Sequence, residues 1–326
     1  MNKVKTLLLN GKAYDCLPGE TVLDALIRQK AAVPYSCMKQ TCLSCMMQSL
    51  NGTPPIKSQL NLKETLQLQN NFLACACIPV RDMDIVLNQE KLTTQVTSQV
   101  VEINKLNPAM IELVLKLDAP VDFFGGQSVL LLNYEHIGKK FLIASPTSAS
   151  AVGKMDVHVE RLKGGAFSEW MHTSLKKGDK LHVCGVSGEM FYLPGQSMQP
   201  LLLVGWQGGL SALVGIVQDI FECGHAGPVY LFHSVDTDDH LYYQAEMREI
   251  SEYFPNFHYF PCVESGIAPD GGYLGDVDKI IAKSFSDLTG WRVFLCGKRN
   301  QIHTIQRYAY LAGASMKDIY LEVTAI

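Results

Sequence analysis

Five of the ten cysteines in this 326-residue chain fall within residues 36–79. Ser36-Cys37-Met38-Lys39-Gln40-Thr41-Cys42-Leu43-Ser44-Cys45 has the spacing C-x4-C-x2-C, and Leu73-Ala74-Cys75-Ala76-Cys77-Ile78-Pro79 follows after an interval. Thiolates at this spacing hold a two-iron, two-sulfur cluster: three come from one loop at little entropic cost, and a distant strand end supplies the fourth. Two other uses of the cysteines compete. Cys42, Cys45, Cys75 and Cys77 could form a tetrahedral zinc site, which leaves the C-x4-C interval without a purpose. A disulfide framework would need an oxidising compartment. The N-terminal apolar run, residues 7–9, is too short for a signal-peptide core and meets Asn10-Gly11-Lys12 at once, so a cytoplasmic location is expected.

Composition narrows the class. Hydrophobic residues make up 47% and charged residues 18%, as in an ordinary globular protein with two or three domains. A net charge of −4 and a pI of 6.1 give no reason to expect nucleic acid as a partner. No uninterrupted apolar run reaches membrane-spanning length. The nearest, residues 201–217, contains Gln207, Ser211 and glycines and reads as a buried strand followed by a helix.

The cysteine loop needs a frame, and residues 1–90 provide one. Residues 4–9 and 12–16 read as strands joined by the hairpin dipeptide Asn10-Gly11. Thr21 is placed to cap a helix, with Asp24 as the weaker half of a capping box. Val22, Leu23, Leu26 and Ile27 give that helix one apolar face. Residues 46–50 and 84–87 read as further strands. Strand, helix and strand in so few residues form a β-grasp pattern.

Residues 1–90 resemble plant-type ferredoxin domains. The whole chain resembles the ferredoxin-NAD(P)H reductase-type iron–sulfur flavoproteins, which are reductase components of bacterial oxygenases and of CDP-6-deoxyglucoseen formation. The resemblance implies a multidomain chain: a β-grasp (α+β) ferredoxin domain at 1–90, an antiparallel β-barrel flavin domain at 98–196 and an α/β nucleotide-binding domain with a parallel sheet at 198–326. In that family the fourth ligand sits in L-x-C-x-x-x-P, which selects Cys75 and leaves Cys77 a neighbour. The implied ligand set is Cys37, Cys42, Cys45 and Cys75.

Residues 91–97 are polar, lack a helical period and read as a linker. Alternation at Val101, Ile103, Ile111, Leu113, Leu115 and Leu117 then argues antiparallel strands, continued through residues 123–132. The family's flavin motif R-x-Y-S-[IL]-A-S corresponds to Lys139-Lys140-Phe141-Leu142-Ile143-Ala144-Ser145. The resemblance implies that Lys139 faces the FAD pyrophosphate, Phe141 packs on the flavin ring, and Leu142 and Ser145 lie beside it. The family's G-x-x-S phosphate motif corresponds to Gly165 and Ser168, and Ser168 is expected to cap the next helix.

Residues 200–204 form an apolar strand, a glycine turn follows at 205–209, and residues 213–221 read as a helix. This is the geometry that holds a phosphate at a helix N-terminus. The resemblance implies NADH at Gly208 and Gly209, with Asp236 after the next strand accepting from a ribose hydroxyl. It also implies that Cys296-Gly297 and Glu322 lie at the site of hydride transfer. The chain departs from family patterns at Ser128, Lys139, Leu142, Trp206-Gln207, Ala212, Lys298 and Thr324.

The expected function is electron transfer from NADH through FAD to a 2Fe-2S cluster and on to a partner protein, a terminal oxygenase or another acceptor. The alternative is an iron–sulfur carrier or regulatory subunit on the same scaffold that has weakened or lost flavin and NADH binding. Residues 1–90 hold nine Lys or Arg against seven Asp or Glu, so they lack the acidic balance of a free ferredoxin.

Overall fold

A computed structural model describes residues 3–40, 42–87, 95–162 and 164–324. The chain divides into two compact units, Met1–Thr93 and Thr94–Ile326. The first contains β1 (Lys5–Leu9), β2 (Lys12–Cys16), α1 (Val22–Arg28), β3 (Met46–Ser49), α2 (Glu64–Leu68), β4 (Asn71–Leu73) and β5 (Met83–Leu87). Its sheet runs β2-β1-β5-β3-β4, with β1 and β5 parallel and the other pairs antiparallel. The β1–β2 turn works because Asn10 (φ 51°) and Gly11 (φ 77°) both take the left-handed conformation that a two-residue hairpin requires. Thr21 Oγ1 caps α1 by accepting from the Asp24 N–H at 3.1 Å, and its hydroxyl donates to the Asp24 carboxylate at 2.6 Å. Val22, Leu23, Ala25 and Leu26 bury one face of α1 against Leu7, Met47, Phe72 and Ile85. This β-grasp presents the cysteine loop between α1 and β3.

The second unit holds a barrel and an α/β layer. The barrel strands are β6 (Gln95–Asn107), β7 (Met110–Leu117), β8 (Ser128–Leu132), β9 (Gly138–Leu142), β10 (Lys154–Glu160) and β11 (Lys180–Ser187), with α3 (Ala166–Thr173) between the last two. They form one antiparallel sheet, β10-β7-β6-β11-β8-β9, and an Ile143–Val157 bridge beyond β9 joins its two ends. Residues 91–94 of the expected linker lie outside the described residues. Gln95, Val96 and Thr97 do not belong to a linker: they open β6 and pair with β11. Residues 123–127 turn rather than extend, with Gly126 at φ 95° and the Gln127 N–H donating to the Phe124 carbonyl, so the strand starts at Ser128.

The α/β layer is built from β12 (Leu201–Trp206), α4 (Leu210–Glu222), β13 (Val229–Val235), α5 (Gln244–Tyr253), β14 (Phe257–Val263), β15 (Tyr273–Leu274), α6 (Val277–Ser284), β16 (Arg292–Gly297), α7 (Arg299–Leu311) and β17 (Ile319–Val323). Its sheet is wholly parallel, in the order β15-β14-β13-β12-β16-β17. Every residue of β12 and β16 is buried, which is why both, apart from Arg292 at the head of β16, read as apolar runs. The strand order reverses between β12 and β16, and in open α/β sheets ligands bind outside the strand ends at that point.

Barrel and α/β layer pack as one unit because main chain meets main chain between them. A Cβ on Gly125 would stand 2.7 Å from the Gly215 carbonyl oxygen, and one on Gly215 would stand 3.0 Å from Gly125 Cα. Beside this crossing Asp219 of α4 accepts from both the backbone N–H and the hydroxyl of Thr147, each at 2.7 Å.

Candidate functional site

The cysteine loop turns through three left-handed residues that are not glycine: Met38 (φ 52°), Gln40 (φ 63°) and Leu43 (φ 57°). Each disfavours this conformation by about 1–2 kcal/mol, but together they aim main-chain N–H groups at sulfur. The Cys37 N–H reaches Cys42 Sγ and the Cys42 N–H reaches Cys37 Sγ, both at 3.4 Å, and the Lys39 N–H reaches Cys37 Sγ at 3.3 Å. The thiols therefore fall into two pairs, since Cys75 lies beside Cys45. Burial, and next the Cys45 thiol, push the Cys75 thiol up to about 11. Two pairs suit a body with two irons better than a single zinc ion, which needs four sulfurs in one tetrahedron. Among the described residues no three His, Cys, Asp or Glu side chains converge tightly enough for one metal ion. Cys77 points elsewhere. It is fully buried in the core, with Met83 Sδ 3.9 Å away. The residues fit a two-iron, two-sulfur cluster held by Cys37, Cys42, Cys45 and Cys75.

In the second unit, a cleft opens where the barrel faces the ends of β12 and β17. It gathers Lys139, Phe141, Leu142, Gly208 and Glu322 from the sequence expectations, with Ser128, Val323 and Thr324. Phe141 is 7% exposed and packs on Phe167, with ring centroids 6.2 Å apart. Burial lowers the Lys139 ammonium, which faces Glu160. Lys140 donates to Glu322 Oε1 at 3.3 Å, while burial raises the Glu322 carboxyl. Apolar Phe141 and Leu142 beside a lysine suit a flat heterocycle joined to an anion, so these residues fit FAD.

Other expected residues lie around the cleft without lining it. Ser145 is buried and accepts from the Asp156 N–H at 3.0 Å, tying β10 to the segment after β9. Ser168 does not cap α3. Gly165 holds the cap position, and Ser168, inside the first turn and 1% exposed, donates to the Gly165 carbonyl and accepts from the Leu162 N–H. Its hydroxyl closes the phosphate-motif loop on itself. Gly209 is held against β16, where a Cβ would stand 2.4 Å from the Cys296 carbonyl oxygen. Gly297 lies under Trp206 in the same close fashion. Cys296 is wholly buried and pairs with Glu322 across β16 and β17. Asp236 is exposed just past β13, and its carbonyl accepts from the Ser265 N–H and hydroxyl.

Lys140, His158 and Glu160 line the cleft without having been singled out by motif. The Gly208 N–H donates to the Glu160 carboxylate, which burial raises toward the neutral form. The signal was in the sequence: Asp156, His158 and Glu160 alternate with Met155, Val157 and Val159, so one strand carries an ionisable face as well as a core face.

Comparison with known proteins places both units. Residues 7–80 match the 2Fe-2S iron-sulfur cluster binding domain, and residues 208–307 match the oxidoreductase NAD-binding domain. The phenol hydroxylase P5 protein of Acinetobacter pittii (strain PHEA-2) is 30% identical over 301 residues, covering 88% of this chain and 84% of that one. The reductase component DmpP of phenol 2-monooxygenase from Pseudomonas sp. (strain CF600) is 27% identical over 330 residues, with 97% and 93% covered. Among solved structures, the Amycolatopsis reductase GcoB superposes with a TM-score of 0.67 at 25% identity, over 99% of this chain and 100% of that one.

Proposed function

The chain belongs to the family of iron–sulfur flavoprotein reductases that serve oxygenases, and from that premise we propose how its own residues share the work. The protein is an NADH-dependent reductase that passes electrons through FAD to a 2Fe-2S cluster and on to a partner oxygenase. FAD, when bound, takes a hydride and gives up electrons singly, which joins a two-electron donor to a one-electron centre.

The observation that carries the division of labour is the paired-thiol loop in the same chain as a cleft joining Lys139, Phe141, Gly208 and Glu322. Residues 1–90 carry the cluster, on Cys37, Cys42, Cys45 and Cys75. Residues 98–196 carry the flavin. Lys139 neutralises its pyrophosphate, Phe141 and Leu142 exclude water from its ring, and Ser145 fixes the strand that presents them. Gly165 and Ser168 shape the neighbouring loop so that it delivers the chain into α3, whose N-terminus is the end that suits a phosphate. Residues 198–326 carry NADH. Gly208 and Gly209 let the main chain approach the nucleotide, Gly297 keeps the end of β16 free of a side chain, and Cys296 and Glu322 border the point of hydride transfer. Asp236 accepts from the ribose and repels a 2′-phosphate. Cytoplasmic operation suits the ten cysteines, all free thiols here, and no described helix is long and apolar enough to cross a membrane.

The test is a visible spectrum of anaerobically purified protein before and after NADH, with iron, sulfide and flavin assayed on the same sample. Flavin and iron–sulfur bands that both bleach are the expected result. Iron–sulfur bands alone, unmoved by NADH, would replace the reductase with a carrier.

A further inference from the structure

His158 has no part in the motifs above, and its setting is unusual. Its side chain is fully buried, and the residue lies among those bordering the cleft, with Phe141, Leu142 and Glu322. Neither ring nitrogen has a hydrogen-bond partner among the described residues. Buried polar groups are almost always paired, so an orphaned imidazole on a cofactor cleft asks for a reason. Glu112 Oε1 of β7 lies 3.8 Å from Nε2, an ion-pair distance rather than a hydrogen bond. Glu112 is itself fixed, accepting from the Tyr243 hydroxyl at 2.6 Å and from Asn104 Nδ2 at 2.9 Å. The other groups facing His158 are Ser211 of α4, whose hydroxyl accepts from the His158 backbone N–H; Tyr243 and Tyr242, with their rings 5.0 and 5.5 Å away; His233 of β13; Glu246 of α5; and, on its own strand, Asp156 and Glu160.

The reaction leaves something in the cleft for such a group to do. The C–H bond of the dihydronicotinamide breaks with both electrons, so each NADH delivers one proton and two electrons. Only the electrons move on toward the iron–sulfur centre. One proton per NADH stays behind and must bond to a base. We propose that His158, oriented by Glu112, is the base that takes this proton out of the cleft. With its own proton on Nε2 toward Glu112, the neutral ring keeps the Nδ1 lone pair for the new N–H bond. Burial favours the neutral ring a base requires. Glu112 is held at about 2, first by His158, and so stays ionised to balance the imidazolium afterwards.

This rests on the reductase reading, and the experiment separates the two. Holoenzyme is mixed with NADH in a stopped-flow instrument from pH 8 down to about pH 4.5, in water and in deuterium oxide, and electron arrival at the cluster is followed. Unmodified protein should slow at low pH, where His158 is already protonated, and show a solvent isotope effect. His158→Gln should lower the rate by about 100-fold and abolish both features while retaining FAD. Glu112→Gln should move the pH break to lower pH, because the imidazolium loses its balancing carboxylate. Histidine-selective 15N spectra give a readout independent of turnover: one imidazole of nine, missing from the His158→Gln spectrum, should titrate in unmodified protein, and its midpoint should fall in Glu112→Gln. FAD-loaded His158→Gln with an unaltered pH profile, or a His158 resonance indifferent to Glu112→Gln, would overturn the proposal. Unmodified protein without FAD would instead sink the reductase reading.

Discussion

In the proposed cluster site four thiols, three in the loop and Cys75 after β4, would do the binding, and all four positions carry cysteine. In the cleft most of the expected positions carry other residues, yet the enclosure is built. The two regions differ in what does the holding. A cluster is bonded to sulfur, so no neighbour substitutes for a missing thiolate. On the proposed reading, flavin and dinucleotide would be held largely by shape and main chain: the turn at Gly208 and Gly209, the close approach of Gly209 to Cys296, and an apolar wall. Side chains such as Lys139 refine that grip without creating it. Motif erosion therefore means different things in the two places.

Substitutions can break or sharpen this contrast. Cys42→Ser should abolish the cluster outright and leave NADH-to-dye activity through the flavin. Undiminished iron and sulfide would contradict the loop assignment. Its control is Cys77→Ser, which should keep full iron and cost about 1–3 kcal/mol in denaturant titration, because a hydroxyl replaces a thiol in a dry core. In the cleft the largest effect should come from the main chain. Gly209→Ala places a methyl 2.4 Å from the Cys296 carbonyl oxygen, so it should raise KM for NADH at least tenfold and destabilise by about 1–3 kcal/mol. A wild-type KM would show that the turn yields easily. Asp236→Arg should raise the NADPH-to-NADH ratio of kcat/KM roughly tenfold, and an unmoved ratio would place the ribose elsewhere. Lys139→Ala should weaken FAD about tenfold, near 1.4 kcal/mol, in a fluorescence titration. Loss of all FAD would mean that a side chain dominates here too.

The smallest effect is electrostatic. Asp156 is largely buried, and burial pushes its carboxyl up to about 6. A carboxyl whose folded value is raised lowers stability as pH climbs through the unfolded value near 3.9, and the loss is complete above about 6. Asp156→Asn should thus stabilise by on the order of 1–2 kcal/mol at pH 7 and by nothing at pH 3.5. Equal melting shifts at both pH values would show that charge is not the cause.

Legibility in the sequence followed the same division. Asn10-Gly11, Thr21 and the cysteine spacing were readable because each is a local rule with one solution. Helix α1 announced itself through a capping side chain. Helices α2 and α5 begin without any side-chain cap bond, on Lys63 and Tyr243, so no local residue announces their starts. The polar opening of β6 passed for a linker because its side chains are partly wet while its backbone is paired with β11. His158 and Glu160 stayed hidden because their neighbours come from β7, the glycine turn and the start of α5, far away in sequence.

The crossing of Gly125 over Gly215 has a mechanical consequence. Two lobes that touch through bare main chain have no shim between them, and every other amino acid is a thicker one. The gap across which the barrel faces the strand ends is thus machined to the thickness of a peptide. Substitution can reline that gap, but at these two residues it can only widen it.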